Sequence, residues 1–110
     1  MKVANCVRAM VLAAALISPM GAHAADPDPA AGKQKFNSNC AACHGEDAVQ
    51  GDPTADLRQM QKRHGDKTSE VYNKTVKDGI PEKGMPGWDG ILTGEDAADI
   101  EAFLKSVQTS

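Results

Sequence analysis

Cys40-Ala41-Ala42-Cys43-His44 constrains this chain more than any other segment. Two thiols separated by two residues can each form a thioether to a haem vinyl group, and a histidine beside the second thiol then falls under the iron. C-x-x-C-H is a c-type haem attachment signal, and histidine is a standard proximal ligand of haem iron. The motif therefore predicts one haem, covalent through Cys40 and Cys43 and ligated by His44. The rest of the chain becomes a sheath around it.

The first two dozen residues carry the marks of an export signal. Lys2 and Arg8 make a basic start, Ala9 to Ile17 form a short apolar run, and Pro19-Met20-Gly21 break it. Ala22-His23-Ala24 then offers an A-x-A cleavage site. The apolar run is well short of the ~20 residues that a spanning helix needs. Cys6 lies in the basic region rather than just after the apolar one, which argues against a lipid anchor. The expected organisation is a cleaved secretory signal peptide over 1–24, a polar tail over 25–28 and one domain over 29–110, located in the periplasm without a membrane anchor. Removing 24 of 110 residues leaves 86 and takes Cys6 away, so Cys40 and Cys43 are the remaining cysteines. In an oxidising compartment such a pair bonds to itself or carries a cofactor. Loss of Lys2 and Arg8 from twelve basic residues leaves ten against fifteen acidic ones, a formal charge of −5. That balance argues against a nucleic-acid partner.

The core is thin. Its aromatic residues are Phe36, Tyr72, Trp88 and Phe103, and aliphatic side chains are sparse. A chain of ~90 residues buries a modest fraction of its surface and often needs a disulfide, metal or cofactor. A buried porphyrin supplies the missing apolar volume.

Local signals are helical throughout. Asp28-Pro29 reads as N-cap and first residue of a helix running to about Asn39, which delivers Cys40 at its end. Gly45 to Pro53 reads as loop. Leu57, Met60 and His64, spaced i, i+3, i+7 before Gly65, permit a short helix. Thr68 or Ser69 is the expected cap of a helix carrying Val71, Tyr72 and Val76, with Gly79 as its stop. Ile80 to Ile91 is a Gly/Pro-rich loop. Thr93 with Asp96 approximates a capping box, and Ala97, Ile100, Leu104 and Val107 follow on one face with Phe103 beside it. No alternation typical of strands occurs, so the predicted fold is small and all-α.

A ligating histidine needs its second ring nitrogen oriented, and the Pro53 carbonyl is the expected acceptor. For the sixth ligand the leading candidate is Met85, in the loop Lys83-Gly84-Met85-Pro86-Gly87-Trp88, where Gly and Pro hold extended backbone. A neutral, soft thioether favours ferrous iron and raises the potential. His64, Met60 and an open site are the alternatives. Met60 also reads as a core residue on a helix face, and His64 as a solvated residue before a turn.

With these residues in place, the chain resembles a monohaem class I cytochrome c over nearly all of residues 29–107. The motif near the mature N-terminus, Gly32 with Phe36, and Phe103 with Leu104 all match that family. The resemblance implies helices wrapped around one covalent haem, with the terminal helices crossing at Gly32 and the aromatics stacked over the contact. It also makes Pro53 and Leu57 the proline loop on the histidine side, although the usual compact Gly-Pro-x-Leu is stretched here to Gly51-Asp52-Pro53-Thr54-Ala55-Asp56-Leu57. Met85-Pro86 corresponds to the axial methionine loop, and Trp88 is in reach of a haem propionate. Asp56-Leu57-Arg58, Val76-Lys77-Asp78-Gly79 and Gly84-Met85-Pro86 are similar to cytochromes serving periplasmic quinoprotein alcohol dehydrogenases.

Other uses of the motif fit less well. A zinc site from Cys40, Cys43, His44 and His64 would place adjacent residues at two corners of one tetrahedron. A redox C-x-x-C belongs in a βαβ context. A Cys40–Cys43 disulfide closes a tiny loop and adds little. A five-coordinate gas sensor would leave the methionine loop unused. Glu46-Asp47 and Glu95-Asp96 read as solvated faces or helix starts, and no set of catalytic side chains is present. The sequence therefore predicts a monomeric electron carrier rather than an enzyme. Its partners are redox proteins, with a quinoprotein dehydrogenase as donor and a terminal oxidase or another cytochrome as acceptor. A haem subunit of a larger dehydrogenase or oxidase complex is the alternative.

Overall fold

Local capping starts the first helix. In the computed structural model, which describes residues 26–53 and 55–109, the Asp28 carboxylate accepts the Ala30 N–H at 2.9 Å, and Pro29 supplies a fixed φ where no donor is needed. Helix α1 then spans Pro29–Asn39. The expected leader and its cleavage site lie outside the described residues. α2 is a single turn, Ala41–His44, that stops at Gly45 with φ 83. α3, Met60–His64, follows a 3-10 turn at Leu57–Gln59. α4 spans Thr68–Asp78 and ends at Gly79 with φ 72, a conformation glycine adopts without strain. α5, Gly94–Ser106, opens on a reciprocal capping box between Thr93 and Asp96.

Two local expectations need correction. The cap of α4 is Lys67, with no side-chain bond, rather than Thr68 or Ser69. Both hydroxyls are engaged elsewhere: Thr68 donates to the Gly65 carbonyl at 2.7 Å, and Ser69 donates to Glu101 on α5. The segment read as loop after Gly45 also contains a 3-10 turn at Glu46–Ala48. Among the described residues there is no strand, only isolated bridges at Ile80–Met85 and Asp89–Leu92. The all-α expectation holds.

The helices pack where α1 crosses α5. A Cβ added to Gly32 would lie 1.8 Å from the Asp99 carbonyl oxygen, so only glycine permits this approach. One turn further on, Phe36 meets Phe103 with ring centroids 5.5 Å apart and planes at 49°. Phe36, Ala48, Met60, Tyr72, Ile100, Phe103 and Leu104 form the buried core. Asp99 is buried beside them because its carboxylate is fully engaged. Lys35 donates to Oδ2 at 2.7 Å and the Asp28 N–H to Oδ1 at 2.8 Å, while Lys35 also reaches Asp96 at 2.9 Å. Tyr72 ties α4 to α5 by donating to the Ala97 carbonyl at 2.7 Å. No helix among the described residues is long and apolar enough to cross a membrane.

Candidate functional site

These helices surround a cavity of about 930 Å³ instead of closing on one another. That volume lies near the top of the ~300–1,000 Å³ range of small-molecule and cofactor sites. Cys40, Cys43, His44, Leu57, Met85 and Trp88 all line it, so six of the seven expected site residues converge on one space. Pro53 does not. Val76, Ile80, Leu92, Ile100 and Leu104 complete the apolar wall, and Asn39, Gln50, Asp52, Arg63, His64 and Lys83 supply polar groups. Leu92 and Ile80 were not singled out in the sequence, because loop residues carry no periodicity to mark the face they present.

On the α2 side, Cys40 is half-buried against the core and Cys43 is exposed; the two are not bonded to each other. Burial, reinforced by the neighbouring Cys43, pushes the Cys40 thiol up to about 11. A thioredoxin-like redox pair sits in a βαβ context, and the described residues around these cysteines contain no strand. His44 packs 6.4 Å from the Phe36 ring, centroid to centroid, and burial lowers its pKa, keeping the imidazole neutral as a metal ligand must be.

The expected hydrogen bond from His44 to the Pro53 carbonyl is not formed. The buried Nδ1 has no partner among the described residues, and Pro53 is exposed. The physical cause is the stretched loop, which satisfies its own backbone. Ala55 N–H donates to the Asp52 carbonyl at 3.1 Å, and Gln50 donates to the Ala55 carbonyl at 2.9 Å, turning Pro53 outward.

The methionine loop is docked to the end of α4 by two glycines. A Cβ on Gly79 would lie 2.5 Å from the Gly87 nitrogen, and one on Gly87 would lie 2.7 Å from the Lys77 carbonyl oxygen. Ile80 and Met85 exchange backbone hydrogen bonds at 2.9 and 3.1 Å, and the Trp88 N–H donates to the Val76 carbonyl at 2.8 Å. Met85 is thereby held half-buried at the cavity wall. The alternatives are nearby: Met60 is buried in the core, as its helix spacing predicted, and His64 sits half-buried at the end of α3. Both also line the cavity.

The residues fit a haem. A buried unpartnered imidazole, two unbonded cysteines and a thioether face one large apolar space. They do not fit zinc, because no three His, Cys, Asp or Glu side chains come together among the described residues.

Comparisons with known proteins agree. Residues 27–104 match the family model described as cytochrome c oxidase, cbb3-type, subunit III. The chain is 37% identical over 81 residues to cytochrome c6 of Tetradesmus obliquus, covering 70% of this chain and 88% of that protein. It is 34% identical over 100 residues to cytochrome c of Tetrahymena pyriformis, covering 73% and 89%. It is also 33% identical over 89 residues to quinohemoprotein alcohol dehydrogenase ADH IIB of Pseudomonas putida, 80% of this chain but 12% of that much longer protein.

Proposed function

The chain belongs to the cytochrome c family, and from that premise we propose that it is a periplasmic electron carrier with His44 and Met85 as axial ligands. The family's activity is haem-based electron transfer and its cofactor a covalently attached c-type haem. The observation that carries the finer reading is the single cavity lined by both cysteines, His44 and Met85.

When bound, the haem supplies a reversible one-electron iron couple. Cys40 and Cys43 would anchor it by thioethers. His44, kept neutral by burial, offers a basic ring nitrogen, while Met85 offers a neutral thioether that favours the ferrous state. Leu57, Val76 and Leu92 would keep water from the haem, and Trp88, on the same cavity wall, would be in reach of its propionates. With His44 and Met85 both on the iron, no coordination position would remain for a substrate. The acidic surface steers a partner that presents a basic patch, faster at low salt, with Lys83 beside the methionine loop as a local exception.

A periplasmic quinoprotein dehydrogenase as donor is supported by the likeness to ADH IIB, and a terminal oxidase or another cytochrome serves as acceptor. The matched family's description as an oxidase subunit favours a second reading, a haem subunit within a larger complex. Purification separates the two: a carrier elutes as a monomer, a subunit with its partners.

The testing experiment is an optical spectrum of oxidised and reduced protein made with the haem-attachment machinery. A c-type reduced spectrum with the weak far-red methionine–iron(III) band is expected. A c-type spectrum lacking that band removes Met85 from the coordination sphere, and no haem at all overturns the reading. The intact mass of the exported protein should begin at Ala25.

A further inference from the structure

The turn that leaves His44 is strained. Asp47, with φ 57, and Ala48, with φ 65, both occupy the left-handed region although neither is glycine. Such residues persist there only where the surroundings over-determine them.

Here the surroundings grip Asp47 from two sides. On α1, Asn37 accepts the Asp47 N–H at its Oδ1 and donates from Nδ2 to the Asp47 carboxylate, both at 2.8 Å. From the opposite side, the Arg58 guanidinium donates to the Asp47 carbonyl from Nη2 at 2.7 Å and from Nε at 3.1 Å. Arg58 is itself anchored: its N–H donates to Asp56 Oδ1 at 2.9 Å, and its carbonyl accepts the Thr109 N–H at 2.7 Å. Ala48 is fully buried, with its N–H donating to the Gly45 carbonyl at 3.0 Å.

A metal-ligating histidine is ordinarily oriented by a hydrogen bond from its second ring nitrogen. The buried Nδ1 of His44 makes none. The ring is held instead by the Phe36 ring and by the backbone that follows it. We infer that Arg58, assisted by Asn37, is a positioning residue for His44. The forked grip on the Asp47 carbonyl fixes the left-handed turn, and through it the imidazole, with Nδ1 kept dry. The inference rests on the reading of His44 as the iron ligand.

The test uses the haem-loaded protein and two variants, Arg58→Lys and Arg58→Lys combined with Asp47→Gly. Lysine keeps the positive charge but replaces the planar fork by a point donor. The readouts are the midpoint potential and the proton NMR spectrum of the oxidised protein, in which the spread of shifted haem methyl resonances reports the orientation of the axial imidazole. In Arg58→Lys, water reaching Nδ1 makes the imidazole a stronger donor and favours Fe(III). The expected result is a lower potential, by a roughly tenfold change in the oxidised-to-reduced binding ratio or about 59 mV, with an altered methyl spread. Adding Asp47→Gly restores both, because glycine takes the left-handed conformation without the grip. Wild-type potential and spread in Arg58→Lys overturn the inference, as does a glycine that restores neither. If the unmutated protein carries no haem, the functional reading itself has failed; a normal c-type spectrum with an unresponsive Arg58→Lys sinks the positioning role alone.

Discussion

Replacing Gly32 by alanine measures how closely the terminal helices must approach. The new Cβ would lie 1.8 Å from the Asp99 carbonyl oxygen, 2.4 Å from the carbonyl carbon and 3.0 Å from the Ile100 nitrogen. All three are backbone atoms of a capped helix, so no rotamer change relieves the overlap. Raising the closest distance from 1.8 to even 3.0 Å separates α1 from α5 by 1.2 Å. A gap of about 0.5–1 Å already removes a quarter to a half of the dispersion energy of a contact. The tilted pair Phe36–Phe103, one turn away at 5.5 Å, opens with it. Overpacking of this kind costs about 1–3 kcal/mol, and the aromatic pair adds ~0.5–1.5 kcal/mol. Alanine returns about 0.5–1 kcal/mol over glycine in a helix interior. The net destabilisation is roughly 2 kcal/mol, which lowers the melting temperature of a domain this size by roughly 10 °C. Thermal and urea unfolding of the oxidised protein, followed by far-UV circular dichroism, provide the assay. An unchanged or raised melting temperature would mean that helix propensity decides the outcome and that the close crossing plays no part in stability.

Three further perturbations test other parts of the site. Met85→Ala should lower the midpoint potential and admit added imidazole or cyanide, seen as a shifted Soret band; a variant that keeps its potential and excludes these ligands sinks the assignment. Gly79→Ala strains a position with φ 72 and pushes a methyl against Gly87, so the methionine loop should detach before the helices melt. The far-red band would then be lost at a lower temperature than the circular dichroism signal, and coincident transitions would refute this. Lys35 holds the Asp99 and Asp96 carboxyls below the usual carboxylate range, chiefly through its hydrogen bonds to them. Depressed carboxylate pKa values give stability that is present above the unfolded value of about 4 and lost as pH falls through the folded values. Lys35→Met should therefore flatten the acid limb of a plot of urea midpoint against pH, and an unchanged slope below pH 5 counts against the pairing.

The ends of α1 and α5 were legible because their signals are local. Asp28-Pro29 and Thr93 with Asp96 cap the helices they precede, whatever the rest of the chain does. The start of α4 was not, since Thr68 and Ser69 are both good capping residues whose hydroxyls were taken by Gly65 and Glu101. Asp99 illustrates a different limit. Its place on the buried face of α5 depends on Lys35, 64 residues away, and no window of sequence contains both. The strained turn was hidden more deeply: an aspartate and an alanine in left-handed conformation leave no mark in the chain, and Glu46-Asp47 looked like a solvated acidic pair. Pro53 lies off the cavity wall because the loop, longer than the compact family pattern, makes its own hydrogen bonds.

The backbone is restricted behind each of the two candidate axial ligands. Behind Met85, Gly79 and Gly87 approach too closely to accept a side chain. Behind His44, Asn37 and Arg58 hold two residues in conformations they would not otherwise keep. Between them lies a cavity that the thin core cannot fill by itself. Many substrate-binding enzymes close a mobile element over their reacting atoms, and such elements are drawn from the least restrained segments of a fold. Here both candidate ligand loops are restrained. A one-electron carrier benefits from that arrangement, because ligands fixed in place in both oxidation states leave little structure to reorganise when the charge on the iron changes.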